Sequence, residues 1–342
     1  MIPLDRRTFI AGALGAAGAL TAARMGLAQA PSPRRIDVHH HFVPPFYLQD
    51  LGQNIKLNPV LSTWSLQKDI ELLDQAGVER AVMSITTPGL WFGLSFAARD
   101  LARRCNDYAA KIVSDHPKRY GMYVNVSLPD VDGTLKEIEY GMDTLKAAGV
   151  AVFTSYGDKW LGDPAFEPVY AELNRRKAVM YTHPPDPSCC MNLLKTDAFN
   201  ESAIEYGTDT TRALAKWIVS GTAKKYPDIK VIWSHGGGTL TSLYSRFAGI
   251  AGNPRNKEFF PDGLEAEVRR YYYDTASHIH RVNLIALKEL VSASQIVYGT
   301  DVPFGNPKRI GDGVADTKLF TAEELAMIDR GNAEKLFPQY KG

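Results

Sequence analysis

Eight short apolar runs, separated by longer stretches of helical periodicity, constrain this chain more than any other feature. The runs are Arg35–His39, Arg80–Ile85, Tyr120–Val126, Val150–Ser155, Val179–His183, Lys230–Ser234, Tyr271–Thr275 and Gln295–Tyr298. Each is too short for a stable helix and is bounded by polar or turn-forming residues, as strands are. Between and after them, apolar residues recur at helical spacing in Ser65–Ala76, Ser95–Asp115, Val131–Ala148, Asp163–Arg176, Thr210–Tyr226, Thr239–Ala248, Arg281–Val291 and Thr321–Leu336. Asp130 stands before one helix, Thr321 and Glu324 form a capping-box pattern, and Gly77 and Gly149 fall where C-terminal caps are expected. This alternation predicts an α/β fold, a parallel (β/α)8 TIM barrel. The competing arrangement is an open doubly wound sheet, but no Gly-rich phosphate loop follows the first strand. The segments Phe42–Thr63 and Pro184–Asp209 are long for plain connections and are expected to cover the functional end.

The chain has 342 residues and a formal net charge of +1, which provides no electrostatic case for nucleic acid or an anionic membrane as a partner. Its three cysteines, Cys105 and the neighbours Cys189 and Cys190, cannot form a disulfide framework. The first residues carry an export pattern. A twin arginine, Arg6-Arg7, precedes an apolar stretch from Ile10 to Ala22, and Ala28-Gln29-Ala30 makes an A-x-A cleavage site. The stretch is shorter than the ~18–20 residues a membrane span needs. Residues 1–30 are therefore expected to be a Tat-type signal peptide and 31–342 a single barrel domain, periplasmic or secreted.

Barrel enzymes carry their chemistry at the C-terminal ends of the strands, and polar residues collect there in this chain. The first run ends in His39-His40-His41, the fifth in His183, the sixth is followed by His235-Gly236-Gly237-Gly238, and the eighth leads into Thr300-Asp301. Residues two apart on a strand share a side, so His39 and His41 are expected to face inward together and His40 to point away. Imidazoles with one carboxylate suit Zn²⁺, and less selectively Mn²⁺ or Fe²⁺, with positions left open for water or substrate. His235 beside three glycines is a candidate general acid/base or carbonyl-polarising group, and Asp301 a candidate metal ligand and proton carrier. Trp91, Phe92 and Phe304 are candidate walls for a flat ring.

The motifs Asp37-Val38-His39-His40-His41, Tyr181-Thr182-His183-Pro184, Ser234-His235-Gly236-Gly237-Gly238 and Gly299-Thr300-Asp301-Val302-Pro303-Phe304, in this order, resemble the amidohydrolase-2 family over residues 35–337. Within it, Thr87–Gly93 and Thr154–Leu161 look most similar to 6-methylsalicylate decarboxylase-like proteins. The resemblance implies that His39, His41, His183 and Asp301 hold the metal and that His235 is the catalytic histidine. It places Arg246 where aminocarboxymuconate-semialdehyde decarboxylases use an arginine at a subunit boundary, and it implies a homodimer or higher oligomer. Those decarboxylases would call for an arginine near Lys56–Leu73, and this chain has none there, which favours a monocarboxylate with an aromatic ring over a dicarboxylate.

The leading expectation is non-oxidative decarboxylation of a small phenolic aromatic carboxylate, with Asp301 and His235 protonating the ring carbon that bears the carboxylate. The first competitor is metal-assisted hydrolysis of a lactone, ester or amide, with Asp301 taking a proton from water and His235 stabilising the oxyanion. A competitor of another class is a non-catalytic periplasmic binding protein on the same scaffold.

Overall fold

The computed structural model describes residues 33–342 except 53–54, 56, 187–189 and 191–200. The chain divides into a unit Met1–Pro33 and a unit Arg34–Gly342. The expected signal peptide, and Cys189 with its possible pairing, lie outside the described residues.

Eight strands form one parallel sheet in sequence order: β1 (Arg35–His41), β2 (Val78–Ser84), β3 (Tyr120–Asn125), β4 (Gly149–Phe153), β5 (Val179–His183), β6 (Lys230–Trp233), β7 (Tyr272–Asp274) and β8 (Ile296–Val297). The last strand meets the first through hydrogen bonds from Val38 N–H to Tyr298 O (3.0 Å) and from His41 N–H to Val302 O (2.9 Å), which bring the ring round on itself. This is the (β/α)8 barrel expected from the alternation. Among the described residues, no helix is long and apolar enough to cross a membrane.

The interior follows the two-residue period of strands. Ile36, Val38, Val82, Tyr123, Tyr181, Ile232 and Val297 pack together inside the barrel, and Ala333, Leu336 and Phe337 of the C-terminal segment join the same cluster. The alternate residues face the surrounding helices instead. Ala81 and Met83 pack with Leu101, Ala102 and Cys105 of the helix Ser95–Asp115. Val150, Val152, Val231 and Trp233 pack in the cluster that contains Leu173 and Trp217. Cys105 is buried within this helical layer and carries no disulfide.

Several helices are shorter than their periodicity suggested. The stretch Thr210–Tyr226 is a helix Glu205–Val219 and a single turn Thr222–Lys225, divided at Gly221, whose φ of 79° lies outside helical space. The stretch Val131–Ala148 ends as helix at Glu139 and continues as a π turn, Tyr140–Thr144. The sixth pattern, Thr239–Ala248, becomes a helix over Tyr244–Ala251. A helix Pro307–Asp316 was not anticipated, although Asn306 caps it and Pro307 opens it. The capping box at Thr321 and the cap at Asp130 are present. Gly77 is left-handed (φ 63°), as a C-terminal cap requires. Gly149 is not a cap. It opens β4, where a side chain would meet Val179 O at 2.5 Å, so the residue serves close strand approach.

Candidate active site

A bulge in β1 sets the site. The register against β2 shifts between Asp37 and His40, so the alternation slips by one residue. Ile36 and Val38 join the barrel interior, and His39 and His41 then face the mouth together. His40 faces the helical layer, where its Nδ1 lies 3.0 Å from Asp37 Oδ2 and its Nε2 lies 2.9 Å from Asp69 Oδ1. The outward direction of His40 and the shared direction of His39 and His41 are as the strand spacing implied. The bulge is an additional device that plain alternation did not reveal.

His183 continues the inward set of β5 after Val179 and Tyr181, at the strand's C-terminal end. Asp301 follows β8 in a left-handed conformation (φ 61°), held by a hydrogen bond from its N–H to His39 O at 2.8 Å. The four side chains converge. His39 Nε2 is 3.2 Å from His41 Nε2 and 3.2 Å from Asp301 Oδ1, His41 Nε2 is 3.1 Å from the same oxygen, and His183 Nε2 is 3.7 Å from it. Ligand atoms bound to one ion at ~2.0–2.2 Å in a tetrahedral array stand roughly 3.3–3.6 Å apart. The observed separations match that spacing, and all four atoms lie within 4.8 Å of one another. Both nitrogens of the buried His183 are without a hydrogen-bond partner, which a hydrogen-bonded structural histidine would not show. This buried group is therefore suited to a metal ion.

The electrostatics agree. Burial and the neighbouring His39 lower His41 to about 4, outweighing the pull of Asp301, and burial takes His183 well below its ordinary value. Burial opposes the charge of Asp301, but His39 and hydrogen bonds from the surrounding imidazoles hold its carboxyl well below the usual range. Two neutral imidazoles and an ionised carboxylate are the protonation states a divalent cation requires. For His39, burial is overcome by Asp274 and Asp301, which raise it to about 10. Binding of a cation at Nε2 must displace that proton, while Nδ1 keeps its contact with Asp274.

Asp274 is the residue that sequence reasoning passed over. It is fully buried at the end of β7, with Oδ2 2.8 Å from His39 Nδ1, and Oδ1 accepts from the backbone N–H of His235 at 2.9 Å. The sequence offered only a carboxylate one residue before the end of the run Tyr271–Thr275, with no mark of its partner. Such a partner fixes the tautomer and ring orientation of a ligating histidine. Asp274→Asn is expected to weaken divalent-metal affinity by ~10–100-fold with an unchanged far-UV circular dichroism spectrum, measured by chelator competition.

His235 stands opposite, its Nε2 3.3 Å from Asp301 Oδ2, the oxygen that does not face the three-histidine cluster. His235 and the following glycines have φ values of 53°, 62°, 78° and 69°. Gly238 permits the turn, because a Cβ there would lie 2.0 Å from Gly207 O.

Asp37 and His40 form a polar cluster behind the site. Burial disfavours charge on His40, but Asp69 and Asp37 outweigh it and raise the ring to about 10. A histidine in the unfolded chain titrates near ~6.5. The proton is thus held more tightly by the folded state, and this contribution is fully present below pH ~6.5 and is lost as pH rises toward the folded value. Between these limits, wild-type stability is expected to fall with pH more steeply than that of His40→Gln, as urea unfolding at a series of pH values would show.

A cavity of about 890 Å³ opens over the cluster, lined by His183, His235, His278, Asp301 and Phe304 and by both long segments, through Leu57, Asn58 and Pro59 on one side and Asp186, Ile204 and Tyr206 on the other. These segments cover the mouth as expected. Among the described residues lining it there is no lysine or arginine. Phe304 is the one suggested aromatic that reaches this wall. Trp91 and Phe92 are not among its lining residues, and Phe92 is exposed. Arg246 is exposed on the helix Tyr244–Ala251 and does not reach the cavity of its own chain.

Comparison with known proteins places this geometry among relatives. The profile of the amidohydrolase family matches residues 36–339. The 6-methylsalicylic acid decarboxylase of Penicillium expansum is 36% identical over 324 residues, covering 90% of this chain and 97% of that protein. The decarboxylase yanB of Aspergillus niger is 33% identical over 325 residues, covering 90% and 88%. A dihydroxybenzoic acid decarboxylase from Polaromonas sp., solved with bound manganese and the inhibitor 2-nitroresorcinol, superposes with a TM-score of 0.76 at 21% identity, covering 90% of this chain and 98% of that one. A profile spanning nearly the whole barrel, with relatives of this identity along its length, shows that the chain belongs to the amidohydrolase family.

Proposed function

We propose that this protein is a metal-dependent, non-oxidative decarboxylase of a small phenolic aromatic carboxylate of the 6-methylsalicylate type. The observation that carries the reading is the divided role of Asp301, with one oxygen facing three imidazole nitrogens and the other facing His235. The identity to 6-methylsalicylic acid decarboxylase supports the substrate class. His39, His41, His183 and Asp301 would hold the ion. Zn²⁺ fits three imidazoles and one carboxylate, and Mn²⁺, bound in the Polaromonas relative, is the competing choice. When bound, the ion supplies Lewis-acid attraction for the carboxylate and its ortho oxygen.

The protein's own groups then manage one proton. That proton is carried on the pair formed by His235 Nε2 and Asp301 Oδ2, 3.3 Å apart. From there it passes to the ring carbon that bears the carboxylate, directly or through Asp301 Oδ2. A carbon–hydrogen bond forms and the carbon–carboxylate bond breaks. Its electron pair restores the aromatic ring, and CO2 leaves. Phe304 supplies an apolar edge to the cavity. Export through the Tat route belongs to the same proposal and rests on the Arg6-Arg7 leader pattern. Cell fractionation checks it.

The test is incubation of purified, metal-assayed protein with 6-methylsalicylate and other hydroxybenzoates, without oxygen or organic cofactor, following CO2 and the phenol product. Stoichiometric CO2 and phenol are expected. Opening of a panel of lactones with no gas from any aromatic acid would overturn the reading in favour of hydrolysis.

A further inference from the structure

The inward face of β4 ends in an aromatic ring beside the metal-suited cluster. Ala151 packs with the barrel interior, whereas Val150 and Val152 pack with the helical layer. Phe153, two residues beyond Ala151, therefore turns inward at the C-terminal end of the strand. It pairs in register with His183 of β5, and the two ring centroids stand 6.3 Å apart, edge to face. The ring is fixed from two sides. Tyr156 meets it edge-on at 6.2 Å and accepts a hydrogen bond from the Phe153 N–H at 2.8 Å. Gly89 closes on it in a left-handed turn (φ 83°), where a Cβ would lie 2.7 Å from the ring. Phe153 is nonetheless only partly buried.

It borders a recess of about 10 Å³, walled by Ile85, Leu90, Val126 and Phe153 together with His183. His183 also lines the large cavity, so the recess adjoins the place where an aromatic acid would meet the ion. That volume admits one group the size of a methyl or a water. The polar neighbours are already committed. Asn125 accepts from Ile85 N–H at 2.7 Å and donates to Asn106 Oδ1 at 2.9 Å, the Tyr156 hydroxyl is engaged by Phe153, and the Tyr181 hydroxyl is buried. A hydroxyl placed in the recess would lose water without gaining a partner, whereas a methyl gains burial. A longer alkyl group would meet the fixed ring of Phe153.

We propose that this recess receives the ring substituent that flanks the carboxylate opposite the metal-bound oxygen, and that Phe153 is the specificity-determining residue that favours methyl there over hydroxyl and over longer alkyl groups. This rests on the decarboxylase reading for how the ring is held, but its test requires no turnover.

Binding of 3-methyl-2-nitrophenol, 3-ethyl-2-nitrophenol and 2-nitroresorcinol to metal-loaded protein is measured by calorimetry. Each offers the ion a nitro group and an ortho oxygen, and none has a carboxylate to lose. Because 2-nitroresorcinol is symmetric, whichever hydroxyl faces the ion leaves the other facing the recess. Wild type is expected to bind the methyl compound about tenfold or more tighter than either of the others. Phe153→Ala widens the recess and should bring the ethyl compound level with the methyl one or ahead of it, a shift of about tenfold or more in their ratio, with metal content and circular dichroism unchanged. The ratio cancels what the mutation does to both ligands alike. Leu90→Ala widens the recess from another wall, should move the same ratio in the same direction, and decides the matter where Phe153→Ala does not fold. Wild-type protein that binds the ethyl compound or 2-nitroresorcinol as tightly as the methyl one, or a ratio that neither variant moves, overturns the proposal. Protein that sorts these ligands through Phe153 but releases no CO2 from any phenolic acid would sink the decarboxylase reading alone, and CO2 release without such sorting would sink the recess alone.

Discussion

Substitution of His235 by Asn is expected to lower kcat for CO2 release by ~10²–10⁴-fold, the usual contribution of a positioned acid or base, while bound metal per chain stays at the wild-type level. Asn is the informative replacement because His235 has a φ of 53°. Asn tolerates the left-handed region better than most residues, so backbone strain does not confound the result. The side chain hydrogen-bonds to the metal-suited cluster through Asp301 Oδ2, at 3.3 Å, its ring packs edge-on against His39 and His183, and its backbone N–H keeps its bond to Asp274. The variant therefore retains all four metal-suited side chains and loses the group proposed to carry the proton. KM should move much less than kcat, since the loss is confined to the transition state. Steady-state kinetics on metal-replete protein, beside elemental analysis, provides the check. A kcat within about tenfold of wild type, ~1.4 kcal/mol, would remove His235 from the proton path.

The second large effect is on stability. Asp37 is fully buried and holds four donors. Its Oδ1 accepts from the backbone N–H groups of His39 and Thr300, each at 3.1 Å, and its Oδ2 accepts from the Thr300 hydroxyl and lies 3.0 Å from His40 Nδ1. It thus ties β1 to the chain that leads from β8 into Asp301, across the point where the barrel closes. Asp37→Ala leaves these donors unsatisfied and removes one carboxylate facing His40. Breaking a buried charged cluster from one side costs ~3–5 kcal/mol, and the loss is expected in urea or thermal unfolding of the metal-free protein. Asp158→Ala, at a side chain that is 89% exposed, is the control and should change stability little. A loss below about 1 kcal/mol for Asp37→Ala would show that water or rearranged partners replace the carboxylate.

The barrel was legible because its determinants are local. Eight strand-length apolar runs between helical stretches allow few ways of burying both faces of every strand. The side chains that converge on the mouth were legible for the same reason, since they sit at strand ends where polarity interrupts the pattern. Helix limits were less so. The division at Gly221 and the π turn after Glu139 depend on packing against neighbours, and periodicity carries no mark of it.

What only the tertiary structure decided is which distant groups meet. Asp274 lies 235 positions from His39 in the chain, and nothing in its own neighbourhood announces that its carboxylate orients that ring. The β1 bulge is of the same kind, because a slip of register exists only relative to β2. Trp91 and Phe92 show the converse, since residue type suggested contact with a flat ring and neither lines the cavity, while Arg246, suggested by resemblance at a subunit boundary, is exposed on its own chain. Residue order determines period and polarity by itself, whereas long-range pairings, burial and the protonation states that follow from them are properties of the closed barrel.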